Sequence, residues 1–273
     1  MSYVVNIKPN DRPNLTATTE TWLQTLLDVL NHGTIVSPQS QSATIAGNDT
    51  SELLNWKTVY NMNDPIIGAS TRKLSHKFMF AEAWWILNGD NKVSTISEFN
   101  RHISKYSDDG LFFDGAYGPM VVNQISHVCN CLADDPNTRQ AVMTIWRPNP
   151  KPSKDIPCTV SVQWMVRKGV LYCTDTMRSS DTYMGLPYDV FNFSCLSALI
   201  VRMLAQHRKP LNVTLGTLTM NVASQHIYHR DLDKIRTILN DPGLIRPPML
   251  FETAPIEPMA FIQWLKYKAT NGL

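Results

Sequence analysis

Apolar and polar positions along the chain separate into helical and extended stretches. Leu23, Leu26, Leu27 and Leu30 recur at helical spacing after Thr18 and Thr19, either of which supplies a capping hydroxyl, and Gly33 ends the run. Residues 35–61 are polar with short apolar pulses, the pattern of loops and edge strands. From about Lys77 to Asn88 the chain is apolar nearly all round, through Phe78, Met79, Phe80, Ala81, Ala83, Trp84, Trp85, Ile86 and Leu87, and Gly89 stops it. Such a helix must be buried. One ionisable side chain, Glu82, sits in its middle.

The centre of the chain reads as strands. Residues 141–146, 160–166 and 170–174 are rich in β-branched and aromatic side chains, with Lys168-Gly169 as a tight turn between the last two. A third apolar helix is expected over about 190–206, a strand near 213–221, and a helix that His226 and Tyr228 begin. Prolines 247, 248, 255 and 258 make the next segment irregular, before a short helix near 261–268. Strands with interspersed helices predict an α/β (α+β) fold. With no repeat, linker or composition break, the 273 residues are expected to form a single domain, 1–273.

Composition narrows the function. The 25 basic and 23 acidic residues leave a formal charge of +2, which argues against a surface built for polymeric nucleic acid. A few arginines could still hold one phosphate. The first ten residues lack a signal-peptide pattern, and no run of 18 apolar residues suggests a membrane span. Cysteines 129, 131, 158, 173 and 195 are odd in number and form no CxxC pair, against a disulfide framework or structural zinc. The expectation is a reduced, cytoplasmic protein with no metal.

Several residues can carry chemistry. Cys158, in Asp155-Ile156-Pro157-Cys158-Thr159, stands directly before a strand, where Pro157 fixes the backbone. It is either a presented nucleophile or a small buried hydrophobe. Arg178-Ser179-Ser180-Asp181 offers a guanidinium and hydroxyls to phosphate oxygens, or forms a polar turn. Gly185 allows close backbone approach to a flat ligand. His226 and Tyr228 can point into one cleft. Arg139, in a turn leading to a strand, is a phosphate contact or a solvated charge. Glu82 must be paired, protonated or functional, because an unpaired buried carboxylate is costly.

Taken in chain order, these fragments carry a resemblance. Phe80-Ala81-Glu82-Ala83-Trp84-Trp85-Ile86-Leu87-Asn88-Gly89-Asp90, Asp114-Gly115-Ala116-Tyr117-Gly118-Pro119, Asp135-Pro136-Asn137-Thr138-Arg139 and Ile156-Pro157-Cys158-Thr159 come first. Arg178 to Asp181, Gly185-Leu186-Pro187-Tyr188-Asp189 and Ser224-Gln225-His226-Ile227-Tyr228 follow. Their joint order and spacing, over roughly residues 50–240, resemble the thymidylate synthase family, which includes the phage deoxycytidylate (dCMP) hydroxymethylases.

The resemblance implies a large mixed sheet packed with helices, one sheet face lying at a dimer interface. It implies 5,10-methylenetetrahydrofolate as co-substrate and a pyrimidine nucleoside monophosphate as substrate. Cys158 matches the nucleophile that adds to C6 of the ring, leaving C5 to attack the folate methylene. Arg178, Ser179 and Ser180 match the phosphate-binding segment, with Arg178 also favouring the thiolate. Arg139 matches a phosphate contact supplied by the partner subunit of a homodimer. Glu82 matches the carboxylate that organises water and proton transfer, Tyr117 the tyrosine near C5, and His226 and Tyr228 the donors to the sugar hydroxyl. Asp181 and Gly185 match positions facing the folate ring.

Three departures bear on this reading. Residues 37–47 hold no counterpart of the family's N-terminal arginine loop, and Gln140 stands where many members have a second arginine. Asp189 replaces the asparagine of thymidylate synthases, as it does in the phage hydroxymethylases, and it acts on cytosine both as a contact and in catalysis. Hydroxymethylation of dCMP is therefore expected. The alternatives are a dCMP C5-methyltransferase, a thymidylate synthase or dUMP hydroxymethylase, and a non-catalytic nucleotide- or RNA-binding relative. The last would have no use for Cys158, Glu82, Arg178 and His226 together.

Overall fold

The computed structural model describes residues 3–38 and 49–272. Helix α1 spans Ala17–His32, and its cap is Thr16, whose hydroxyl accepts from the Thr19 N–H at 3.3 Å. Thr18 and Thr19 are buried inside the first turn instead, and Thr19 Oγ1 accepts from Gly68 N–H at 2.8 Å. Gly33 ends the helix as expected. The short β1 (Thr34–Val36) lies antiparallel to β2 (Thr50–Asn61). The segment expected as loops and edge strands thus contains a twelve-residue strand paired on both sides. Its polar side chains reflect one face turned to solvent rather than an edge.

Helix α2 (His76–Leu87) is capped by the Ser75 hydroxyl and stopped by Gly89 at a positive φ of 74°. The short α3 (Val93–Ser97) follows, then α4 (Gly118–Asp134), a helix with one buried stripe that the sequence pattern did not announce. Strands β3 (Val142–Thr144), β4 (Thr159–Arg167) and β5 (Val170–Met177) form the centre. Lys168 and Gly169 both adopt positive φ in the β4–β5 hairpin, the backbone that a two-residue turn requires. The two-residue β6 (Ser180–Asp181) leads into α5 (Leu186–Ala205). Strand β7 (Thr214–Tyr228) is much longer than the expected 213–221. His226 and Tyr228 therefore close a strand and do not begin a helix. Helices α6 (Leu232–Asn240) and α7 (Pro258–Asn271) complete the chain.

The sheet runs β1-β2-β7-β5-β4-β3, with β6 added to β7. The β5–β7 and β6–β7 pairs are parallel and the remaining pairs antiparallel, so this is the expected mixed α/β class. One sheet face is covered by helices. Helix α5 is long and apolar enough to cross a membrane by composition, yet most of it is buried in the fold, where Trp164 Nε1 on β4 donates to Ser197 Oγ at 3.0 Å. Phe80 of α2 meets Phe191 of α5 edge to face at 5.1 Å and Trp264 of α7 at 5.9 Å. Phe80 and Phe191 are fully buried, and each contributes roughly 1.5–3 kcal/mol of transfer free energy. Elsewhere the strands expose large apolar side chains, Leu54 at 67%, Val59 at 46% and Tyr172 at 37%.

Candidate active site

The middle of α2, the segment before α4 and the first turns of α5 converge on a cavity of about 450 Å³. Glu82, Tyr117, Gly185 and Asp189 line it, as do Asn192, Asp155, Trp85, Ile103 and Tyr106. Four expected site residues thus share one wall. Asp189 and Asn192 face the same space because they are three apart on a helix.

The two carboxyls are held in proton-bearing surroundings. Burial raises Glu82 from 4.5 to about 7, opposed by the Asn192 amide, whose Nδ2 donates to Glu82 Oε2 at 2.8 Å. Burial raises Asp189 further, to about 8, with Glu82 and Asp181 adding like-charge repulsion. At neutral pH Asp189 is mostly a neutral acid, and Glu82 divides between acid and base.

Cys158 lies half-buried at the start of β4. Burial pushes its thiol up, Arg178 pulls it down, and Asp189 adds to the rise. Its Sγ is 3.7 Å from Ser179 Oγ. Arg178 anchors the loop before the cysteine. Its Nε donates to Pro157 O and Nη2 to Ile156 O, both at 3.0 Å, while Nη1 donates to Ser179 Oγ at 3.0 Å. Three of the five guanidinium donors are thereby used, leaving two for an incoming anion. Tyr117 ties the cysteine to the cavity, because its hydroxyl accepts from the Thr159 N–H at 3.1 Å. Burial, with Cys158 and Asp189 nearby, holds the Tyr117 phenol well above its usual range.

The remaining expected residues lie around this core. Asp181 accepts from the backbone N–H groups of Tyr183 and Met184, both at 2.9 Å, and so shapes the turn that carries Gly185. A side-chain carbon on Gly185 would meet Asp189 Oδ2 at 3.6 Å and Asp181 O at 3.7 Å, ordinary contacts. Only a ligand in the cavity would demand glycine there. His226 packs edge to face on Tyr228 at 5.2 Å, and its Nδ1 lies 3.3 Å from Ser224 O. Ser180 is buried with its hydroxyl unpartnered, its carbonyl accepting from Gln225 Nε2 at 3.1 Å. Arg139 is exposed before β3 and takes no part in the cavity wall. Of the expected arginine-loop segment, residues 39–47 lie outside the described residues.

Three polar groups escaped the sequence reading. Asn192 gives the same signal as Glu82, a polar side chain inside an apolar helix. Asp155 Oδ2 accepts from Gly115 N–H at 2.8 Å and lines the cavity mouth. Asp175 is wholly buried on β5, and neither carboxyl oxygen has a hydrogen-bond partner. The Thr159 hydroxyl lies beside it and opposes the rise that burial causes in its pKa. The expected strand stopped at Thr174, since aspartate is disfavoured in strands; the real one continues through it. Among the described residues no three His, Cys, Asp or Glu side chains gather as a metal site.

A protonated phenol and two proton-exchanging carboxyls line one cavity, and the half-buried Cys158 thiol, outside that lining, adjoins it through the Tyr117–Thr159 hydrogen bond. Together they suit group transfer by covalent and acid–base chemistry. A family model described as thymidylate synthase matches residues 20–257, and the chain belongs to the thymidylate synthase family. The family performs folate-dependent one-carbon transfer to C5 of a pyrimidine nucleotide, with methylenetetrahydrofolate as co-substrate.

Proposed function

We propose that this protein hydroxymethylates dCMP at C5, through a covalent bond between Cys158 and C6. The observation that carries the choice of base is the Asp189 carboxyl, buried in the cavity wall and raised to about 8. A neutral carboxylic acid both accepts and donates. It can take a hydrogen bond from the cytosine N4 amino group and give its proton to N3. That proton makes C6 more electrophilic toward sulfur. Uracil already carries hydrogen on N3 and needs no such acid.

Cys158 adds to C6, and the C5=C6 electron pair becomes available at C5. Methylenetetrahydrofolate supplies the electrophilic carbon. Trp85, Ile103 and Tyr106, with the flush backbone of Gly185, offer flat and apolar surface that fits its ring. Arg178 and Ser179 bind phosphate beside the nucleophile, with Ser180 in the same segment, and His226 and Tyr228 bind the sugar. Tyr117 stands where the C5 hydrogen must leave. Asp181 supports the turn under the folate. As the C5 hydrogen leaves as a proton, its bonding pair forms the exocyclic C=C bond and the bond from the methylene to the folate nitrogen breaks, releasing tetrahydrofolate. Water then adds to that methylene, and expulsion of Cys158 restores the ring.

The active unit in this reading is a homodimer of one-domain subunits, with Arg139 reaching the partner's phosphate. The strands expose Leu54, Val59 and Tyr172, apolar side chains that a subunit packed on the sheet would cover. The experiment is a paired assay with dCMP. Dihydrofolate is followed spectroscopically while the nucleotide product is identified by mass. Hydroxymethyl-dCMP without dihydrofolate supports the proposal; 5-methyl-dCMP with stoichiometric dihydrofolate makes the enzyme a methyltransferase; no product makes it a binder.

A further inference from the structure

Asn192 stands in the cavity wall at 7% exposure, one turn beyond Asp189. Its Nδ2 is committed to Glu82 Oε2 at 2.8 Å. Its Oδ1 is buried and has no partner in the protein. Buried acceptors are normally satisfied, so one left free in a cavity wall is available to something the cavity receives. An amide suits the position in a way no carboxyl or hydroxyl would. It donates to an anion through one atom, accepts from a second group through the other, and never ionises.

We propose that Asn192 is a positioning residue that holds Glu82 as a base and seats, on its free Oδ1, the water that adds to the exocyclic methylene. The proposal rests on the one-carbon transfer argued above. A water between Asn192 and Glu82 gives one hydrogen to each, leaving its lone pairs facing the reacting carbon. As its oxygen bonds to the methylene carbon, the exocyclic C=C pair moves to C5. The ring double bond reforms between C5 and C6 as the C6–S bond breaks, releasing the Cys158 thiolate. The water proton goes to the Glu82 carboxylate, and the other hydrogen stays in the new hydroxyl.

Asn192 also lowers the Glu82 carboxyl against the rise caused by burial. Losing its amide should therefore move the acidic limb of the rate to higher pH. The test uses the full-length enzyme with Asn192→Leu, similar in volume and without hydrogen bonds, and Asn192→Ser, which keeps a donor on a shorter arm. Two quantities are read: the rate of hydroxymethyl-dCMP formation against pH, and the nucleotide products with 2-mercaptoethanol present to compete for the methylene. In Asn192→Leu the acidic limb is expected to move up, with hydroxymethyl-dCMP formation at pH 7 falling by roughly 10- to 100-fold, up to the lower end of what a general base contributes. The KM for dCMP should stay near wild type, and product should shift from the hydroxymethyl to the thioether form. Asn192→Ser should recover part of both.

A folded Asn192→Leu with an unshifted limb and an unchanged product ratio overturns the proposal. If that variant does not fold, Asn192→Ser carries the test alone: intermediate values support the proposal and wild-type values overturn it. If the wild type makes no hydroxymethyl product, the functional reading fails and takes the water role with it.

Discussion

Asp189 makes the sharpest kinetic prediction. With its carboxyl at about 8, the neutral form is about nine-tenths of the total at pH 7 and about one-tenth at pH 9. If the neutral acid must protonate N3 of cytosine, kcat/KM for dCMP falls about tenfold across that interval. Glu82 is raised to about 7 and repels the Asp189 anion, so the two groups titrate as a coupled pair and the limbs belong to the pair. Asp189→Asn keeps the shape and both kinds of hydrogen bond but has no proton to give. It should flatten the alkaline limb and cost roughly 10²- to 10⁴-fold on dCMP, the usual worth of a positioned acid. Activity on dUMP should hold steady or rise. The assay is steady-state turnover of each nucleotide from pH 6 to 9.5, with folding checked by thermal melting. A wild-type rate flat from pH 7 to 9, or the same alkaline limb in Asp189→Asn, would refute the reasoning.

Three further outcomes test the proposed function and the electrostatics of the core. Cys158→Ser should lose nearly all turnover while calorimetry shows dCMP binding largely intact; turnover near wild type would remove covalent catalysis from the account. Mixing inactive Arg139→Ala with inactive Cys158→Ser subunits should restore activity in hybrid dimers, and no recovery despite proven exchange would count against the shared site. Asp175 carries a pKa raised by burial, with Asp189 adding to the rise, so the native state keeps a proton that the unfolded state releases above its ordinary 3.8. The stability it contributes is full below that pH and is lost as pH rises toward the native value. Asp175→Asn should therefore raise the melting temperature at pH 8 and change it little at pH 4; equal shifts at both would contradict the assignment.

Much of the fold was legible because periodicity reports burial directly. The all-apolar stretch around Glu82 could only be a core helix, and Lys168-Gly169 could only be a tight turn. The misses share a cause. Residues 50–61 read as loops and edge strands, rather than one long interior strand, because one face of that strand meets solvent. His226 and Tyr228 read as a helix start because their alternation in β7 is masked by Ser224 and Gln225, polar residues on a strand whose Gln225 is fully buried. In the site, Glu82, Tyr117, Gly185 and Asp189 line one cavity, while Cys158, Arg178, His226 and Tyr228 lie outside its lining. Asn192 and Asp175 were missed for different reasons. The first carries the signal that marked Glu82, a polar side chain in an apolar helix, but bears no charge; the second was hidden by a propensity that tertiary burial overrode.

Trapping the covalent complex tests the central claim most directly. Fluorine at C5 cannot leave as the hydrogen does, so a 5-fluoro nucleotide should stall after Cys158 and the methylene carbon have both bonded to the ring. The full-length enzyme is incubated with methylenetetrahydrofolate and either 5-fluoro-dCMP or 5-fluoro-dUMP, denatured, and measured by intact and peptide mass spectrometry. The account predicts a mass increase equal to nucleotide plus folate, located on the peptide containing Cys158 and formed with 5-fluoro-dCMP in large excess over 5-fluoro-dUMP. An adduct formed preferentially with 5-fluoro-dUMP, or none on Cys158 with either, would contradict it.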